Sequence, residues 1–252
     1  MISFNKEQVF LVTGASSGIG EGVALLLNEL GATVIAIARR KDKLNEMRAK
    51  AKYPENIFIE MKDLAEDIEA LPTYVKELKE KYGKFSGMAY CAGVTGIYPL
   101  KMLNFENALK VFNINYFAPI FMTKGFIDRR NNIGFGASCV YISSMDAVMS
   151  VKGQSIYSGS KAGLSASIKA ISKEVAIQGI RMNCILPSMI KTPMTLDKFS
   201  NLTGITEDMQ KETYPFGWGE PNDVANMIVY LLSDKAKFIS GQNYIIDSGG
   251  VL

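Results

Sequence analysis

The chain has 252 residues, 48% of them hydrophobic, with 28 basic against 25 acidic side chains and no histidine. That length and apolar content allow a sizeable core and exclude disorder, while a formal charge of +3, with no basic run longer than Arg39-Arg40-Lys41, excludes nucleic-acid binding driven by bulk charge. Without imidazole there is no Ser-His or Cys-His nucleophile and no histidine metal site, so chemistry at neutral pH needs another titrating group whose pKa has been moved.

Seven short apolar runs, at 9–12 (VFLV), 33–38 (TVIAIA), 57–61 (IFIEM), 87–91 (GMAYC), 139–142 (CVYI), 181–185 (RMNCI) and 243–246 (NYII), read as buried strands. Between them, helical periodicity runs over about 18–30, 41–52, 67–82, 104–127, 154–178 and 221–233. This alternation predicts an α/β fold: a doubly wound parallel sheet of about seven strands with helices on both faces, binding its ligand beyond the carboxyl ends of the strands. No repeat or linker divides the chain, so 1–252 is expected to form one domain. The alternation breaks from 187 to about 220, where Pro187, Pro193, Gly204, Pro215, Gly217 and Pro221 are interspersed with Phe199, Tyr214, Phe216 and Trp218. A stretch of that length is expected to be a lid or substrate-binding loop, over about 188–218.

The first residues carry no basic segment followed by a long apolar one, and no window approaches the ~18 apolar residues of a membrane span. Cysteines at 91, 139 and 184 are too scattered for a CxxC metal site and odd in number. The expectation is a soluble, cytoplasmic protein with no metal and no membrane or nucleic-acid partner.

Three motifs carry chemistry. The first strand runs directly into Thr13-Gly14-Ala15-Ser16-Ser17-Gly18-Ile19-Gly20 and then a helix. Glycines in such a turn let backbone approach a pyrophosphate, and the helix N-terminus supplies N–H groups and a positive dipole end. The second strand ends at Ala38, followed by Arg39 and Arg40, guanidinium groups suited to a phosphate monoester; a solvated surface pair is the alternative. Finally, Tyr157 and Lys161, four apart, share a helix face, thirteen residues after Ser144. The ammonium would favour the phenolate. Bringing a phenol from its ordinary pKa near 10 to about 7 takes roughly 4 kcal/mol of stabilisation, and in a protein without histidine this pair is the acid/base system.

TGASSGIG, with the Tyr157-Ser158-Gly159-Ser160-Lys161 cluster behind Ser144, resembles the short-chain dehydrogenase/reductase family in its single-domain form of about this length, and the likeness runs from Thr13 to Asp247-Ser248-Gly249-Gly250. It implies a Rossmann fold and an oxidoreductase interconverting a carbonyl and an alcohol, with Tyr157 as acid/base, Ser144 binding the carbonyl oxygen, Lys161 lowering the Tyr157 pKa and holding the nicotinamide ribose, and Asn115, rather than Asn113, positioning a relay water. The implied cofactor is NADP(H) rather than NAD, because the acidic residue that NAD-specific members place at the end of the second strand is Ala38 here. Gly14, Ser16, Ser17, Gly18, Ile19 and Gly20 would hold the pyrophosphate, Arg39 and Arg40 the 2′-phosphate, and Asp63 and Leu64 the adenine. Ala92, Gly93, Pro187, Ile190 and Thr192 would line the rest of the cofactor, together with Tyr157 and Lys161. Two departures stand out: Tyr90-Cys91-Ala92-Gly93 replaces the usual Asn-Asn-Ala-Gly, which leaves the anchoring of that strand end open, and Pro187-Ser188 replaces Pro-Gly.

The implied substrate pocket includes Ser144, Met145, Tyr157 and Met194. A 3-oxoacyl thioester or small ketone is expected, and the more basic entrance of a thioester reductase would draw on Lys101, Lys124, Arg129 and Arg130. A sugar, polyol or steroid dehydrogenase and a catalytically silent NADP-binding regulatory subunit are the alternatives. Copies are expected to form a homodimer or homotetramer through the helices at 104–127 and 154–178. Their surplus apolar residues Phe117, Ile120, Phe121, Leu164, Ile168 and Ile171 would be buried by a partner or by the sheet.

Overall fold

The computed structural model describes residues 1–200 and 213–250, with the side chains of all of these except 197–200. Seven parallel strands form one sheet in the order β3-β2-β1-β4-β5-β6-β7, where β1 is Val9–Thr13, β2 Thr33–Ala38, β3 Ile57–Met61, β4 Phe85–Tyr90, β5 Ser138–Ile142, β6 Arg181–Pro187 and β7 Asn243–Ile246. The five inner strands are buried along their whole length. Layers cover both of their faces, which is why they read as continuous apolar runs rather than alternating ones. The edge strands differ from the buried strands expected: Phe58 and Met61 on β3 and Ile245 on β7 are exposed, because each of these strands has a neighbouring strand on one side only.

The two-residue period of a strand sorts its side chains between two cores. Leu11, Ile35 and Ile37 face α3 (Leu71–Tyr82), α5 (Ala118–Phe126) and α6 (Ser155–Val175) through Val75, Phe126 and Leu164. Phe10, Val12, Val34 and Ala36 face α1 (Gly18–Glu29), α2 (Lys41–Ala49) and α8 (Pro221–Leu232) through Leu27, Met47 and Ile228. Of the surplus apolar residues, Leu164 and Ile168 are core side chains buried beside the sheet, while Phe117, Ile120, Phe121 and Ile171 are partly buried. No helix among the described residues is long and apolar enough to cross a membrane.

The helix expected over 104–127 is not continuous. It divides into α4 (Phe105–Phe112), a π turn (Asn113–Phe117) and α5. Within the π turn the Ala118 N–H bonds to the Asn113 carbonyl, which leaves Ile114 without its α-helical donor. Pro119 has no N–H to offer in its place. The Tyr90 hydroxyl donates to the Ile114 carbonyl instead, at 2.9 Å. The stretch from 187 to 220 also differs from a plain loop, since Pro193–Ser200 is helical (α7); residues 201–212 of the expected substrate loop lie outside the described residues.

A buried cation ties the far end of α8 to the sheet. Arg181, at the start of β6, is 8% exposed. Its guanidinium donates to the carbonyls of Leu231 and Ser233 at 2.7 and 2.9 Å, at the negative end of the helix dipole. Arg181→Met should remove these donors and destabilise the protein by about 2–3 kcal/mol. Thermal unfolding should register this as a fall in Tm of roughly 5–10 °C.

Candidate active site

The chain turns left from β1 to β2 and β3, then returns to add β4 on the right. The carboxyl ends of β1 and β4 therefore diverge into a crevice, the place where such sheets bind ligands. The glycine turn rises from β1 into this crevice. Gly14 has φ 67°, and a Cβ there would stand 2.9 Å from the Ala92 backbone nitrogen, so only glycine fits between the ends of β1 and β4. Ser17 enters α1 in an extended conformation without a side-chain cap, leaving the first N–H groups of the helix directed at the crevice.

At the end of β2 the two arginines diverge. Arg40 Nη2 lies 3.4 Å from both the Ser16 and Ser17 hydroxyls, on the glycine turn itself. Arg39 instead meets Asp63 at 3.6 Å across the end of β3, a solvent-exposed pair of little energetic weight. Asp63 also accepts from the Ala65 N–H, and the Leu64 side chain is part of the core. Hydroxyls, helix N–H groups and a guanidinium make a donor set that fits a phosphorylated dinucleotide.

The end of β4 is anchored without the missing amides. The buried Thr13 hydroxyl oxygen accepts from the N–H groups of both Cys91 and Ala92 at 3.1 Å, and Tyr90 is locked to the π turn as described. The next residues are held by Asn115: its Nδ2 donates to the Val94 carbonyl and its Oδ1 accepts from the Val94 N–H, both at 2.9 Å. Its Nδ2 also donates to Ser160 Oγ at 3.2 Å. The Asn115 carboxamide thus makes three hydrogen bonds to protein partners. Gly93 lies in the same joint, where a Cβ would be 3.1 Å from Asn115 Oδ1 and 3.4 Å from Lys161 Nζ.

Ser144, Tyr157 and Lys161 meet beside this joint. Ser144 caps a short 3-10 turn at Met145–Ala147, and its hydroxyl stands near enough to the Tyr157 phenol to favour the phenolate. Ser143, by contrast, donates to the Lys161 carbonyl and steadies α6. Lys161 Nζ donates to the Ile142 carbonyl at 2.8 Å and lies 5.9 Å from the centre of the Tyr157 ring. Burial pushes Tyr157 up to about 12, the Ser144 hydroxyl opposes this, and the charge of Asp146 reinforces it. Burial pulls the Lys161 ammonium down to about 8, with Cys184 and Cys91 opposing. Those two thiols are themselves pushed up to about 12 by burial and stay neutral at pH 7.

From the other side, Pro187 ends β6, buried Ile190 pairs with Gly219, and the Thr192 side chain comes to within contact of Gly18. Met145 is buried and Met194 is exposed. Arg129 and Arg130 are not near an entrance. They follow α5 at the amino ends of the strands, where Arg130 pairs with Asp128 at 2.6 Å and the neighbouring Asn131 carbonyl accepts from the Phe85 N–H. Lys124 lies over the Phe121 ring. Thr13, Tyr90, Pro119, Ser160 and Asp146 escaped sequence reasoning, although a proline inside helical periodicity is a local signal of a broken helix.

Comparison with known proteins agrees with this architecture. A family described as enoyl-(acyl carrier protein) reductase matches residues 14–250. The chain is 32% identical to the 3-oxoacyl-[acyl-carrier-protein] reductase FabG of Thermotoga maritima, covering 97% of this chain and 98% of that one. It is 30% identical to an NADP-dependent (R)-specific alcohol dehydrogenase of Lentilactobacillus kefiri, over 97% and 96%. Among solved structures, a short-chain dehydrogenase/reductase of Brucella melitensis, described as a glucose/ribitol dehydrogenase, superimposes with a TM-score of 0.89 over the whole of both chains at 22% identity.

Thr13→Val preserves shape but removes the acceptor for two backbone N–H groups. It should lower stability by about 2 kcal/mol in chemical denaturation. A loss under about 0.5 kcal/mol would show that this hydroxyl does not anchor the end of β4.

Proposed function

The chain belongs to the short-chain dehydrogenase/reductase family and is an oxidoreductase acting on the carbonyl/alcohol pair; on that premise we propose that it is an NADP(H)-dependent ketoreductase of small ketones or 3-oxoacyl thioesters, with Tyr157 as its proton donor. The observation that carries this reading is the meeting of Ser144, Tyr157 and Lys161 at the ligand-binding end of the sheet, with the Lys161 ammonium 5.9 Å from the centre of the Tyr157 ring.

Ser16, Ser17, the first turn of α1 and Arg40 would hold the cofactor's phosphates, while Asp63 and the 187–192 segment would line its ends. When bound, the reduced nicotinamide supplies the hydride. A carbonyl oxygen accepting from both Tyr157 and Ser144 becomes alkoxide-like as the hydride arrives, and the phenol gives up its proton there. A phenol held near 12 is fully protonated at pH 7, the form that reduction requires. Lys161 then offsets the charge of the phenolate, and its bond to the Ile142 carbonyl fixes where that positive charge sits. Asn115 acts at one remove, by clamping Val94 and Ser160 around the site.

Arg40, rather than Arg39, is the residue we assign to the 2′-phosphate, because it stands on the glycine turn. The same reading makes 1–252 one catalytic domain, with 188–218 as its substrate loop, acting in a reducing cytoplasm in which Cys91, Cys139 and Cys184 are free. Copies would pair through α4 and α6, and the exposed Phe105 and Leu109 on α4 support such a contact.

Tyr157→Phe should abolish NADPH oxidation across a panel of ketones while leaving NADPH binding, followed by fluorescence titration, within about threefold. NADPH binding by the wild type with no turnover of any ketone would instead identify a silent regulatory subunit. In the wild type, kcat/KM for reduction should fall above pH 8, as Lys161 loses the proton it carries below that pH. A flat profile from about pH 7 to 10 would overturn the role given to its charge. Arg40→Ala should raise KM for NADPH by about tenfold or more and leave KM for NADH nearly unchanged; equal effects on both would remove the assignment.

A further inference from the structure

Beside the pair that handles the reacting oxygen stands a carboxylate that the proton transfer does not use. Asp146 follows Ser144 by two residues and is half-buried. Its N–H donates to Ser144 Oγ at 3.1 Å, and its Oδ2 accepts from the Ser144 hydroxyl at 3.4 Å. The 3-10 turn at Met145–Ala147 holds both groups in this relation.

The geometry bounds what Asp146 can reach. A carbonyl oxygen that takes the Ser144 hydroxyl proton in place of Asp146 Oδ2 would lie about 2.8 Å from Oγ, which puts Asp146 Oδ2, 3.4 Å from Oγ, within roughly 6 Å of that oxygen. Substituents one or two carbons from the carbonyl are of the length that reaches across this interval. An ionised carboxylate only accepts hydrogen bonds. It therefore rewards a hydroxyl or ammonium group placed there, and it repels a carboxylate, a phosphate or the carbonyl of a thioester.

We propose that Asp146 is a specificity-determining residue of this site, selecting ketones that carry a hydroxyl or ammonium group one or two carbons from the carbonyl over ketones that carry a carboxylate or thioester there. The inference rests on the ketoreductase reading and narrows it towards small hydroxylated or aminated ketones.

Three aryl ketones with one skeleton test it: 2-hydroxyacetophenone, its isostere propiophenone, and the anion phenylglyoxylate. Each is assayed by NADPH oxidation with the wild type, Asp146→Ala and the isosteric Asp146→Asn. Comparing ratios of kcat/KM between proteins cancels the intrinsic reactivity of each carbonyl, and it also cancels any general loss of folded enzyme. The ratio for 2-hydroxyacetophenone over propiophenone should fall roughly 10- to 100-fold in Asp146→Ala. The ratio for phenylglyoxylate over propiophenone should rise in both variants. Ratios unchanged in both variants would overturn the role of Asp146 while leaving the ketoreductase reading intact. No turnover of these or any panel ketone by the wild type would overturn that reading, and the inference with it.

Discussion

The reciprocal hydrogen bonds between the Asn115 carboxamide and the Val94 backbone are the joint on which the site depends. One side chain binds the loop after β4 through both its amide nitrogen and its oxygen, and reaches Ser160 on α6 with the same nitrogen. Three segments far apart in the chain are thereby held in register: the crevice loop, the π turn that carries Asn115, and the helix that carries Tyr157 and Lys161. The wide turn is what brings the amide to this place. It is stabilised by a proline that cannot donate and by a tyrosine hydroxyl that supplies the missing hydrogen bond.

Around this joint, charge is managed by burial more than by pairing. The Lys161 ammonium has backbone carbonyl and aromatic neighbours, and the nearby thiols remain neutral. The phenol is correspondingly a weak acid, raised by burial rather than lowered by a cation. A site of this kind begins in the form needed to protonate an alkoxide and has to be driven towards phenolate by further positive charge. In the protein by itself Nζ is drawn to the Ile142 carbonyl, and burial dominates Tyr157, with the Asp146 carboxylate adding to it.

The similarity to 3-oxoacyl thioester reductases and to an alcohol dehydrogenase at about equal identity shows the reaction class without choosing a substrate. Substrate choice depends on side chains within a few ångströms of the reacting oxygen. Beside Ser144 this chain places Met145 and Asp146, and the arginines that would have suggested an acidic carrier lie at the opposite end of the sheet. Position in the fold, rather than overall charge, separates these readings.

What the sequence determined by itself was everything that follows from local sterics and periodicity. Apolar runs buried on both faces, helical repeats between them, glycines in a strand-to-helix turn and a tyrosine and lysine four apart are short-range patterns, and they located all seven strands and the residues gathered at the site. Only the tertiary structure decided what depends on distant partners. Thr13 binds Cys91 and Ala92 across 78 and 79 positions of sequence. The Asn115 carboxamide binds Val94 and Ser160, Arg40 rather than Arg39 stands on the glycine turn, and Tyr157 is a weaker acid than free tyrosine. The reason is physical: hydrogen-bond partners and the loss of solvent that moves a pKa are set by what packs against a group, and packing joins residues that no local pattern relates.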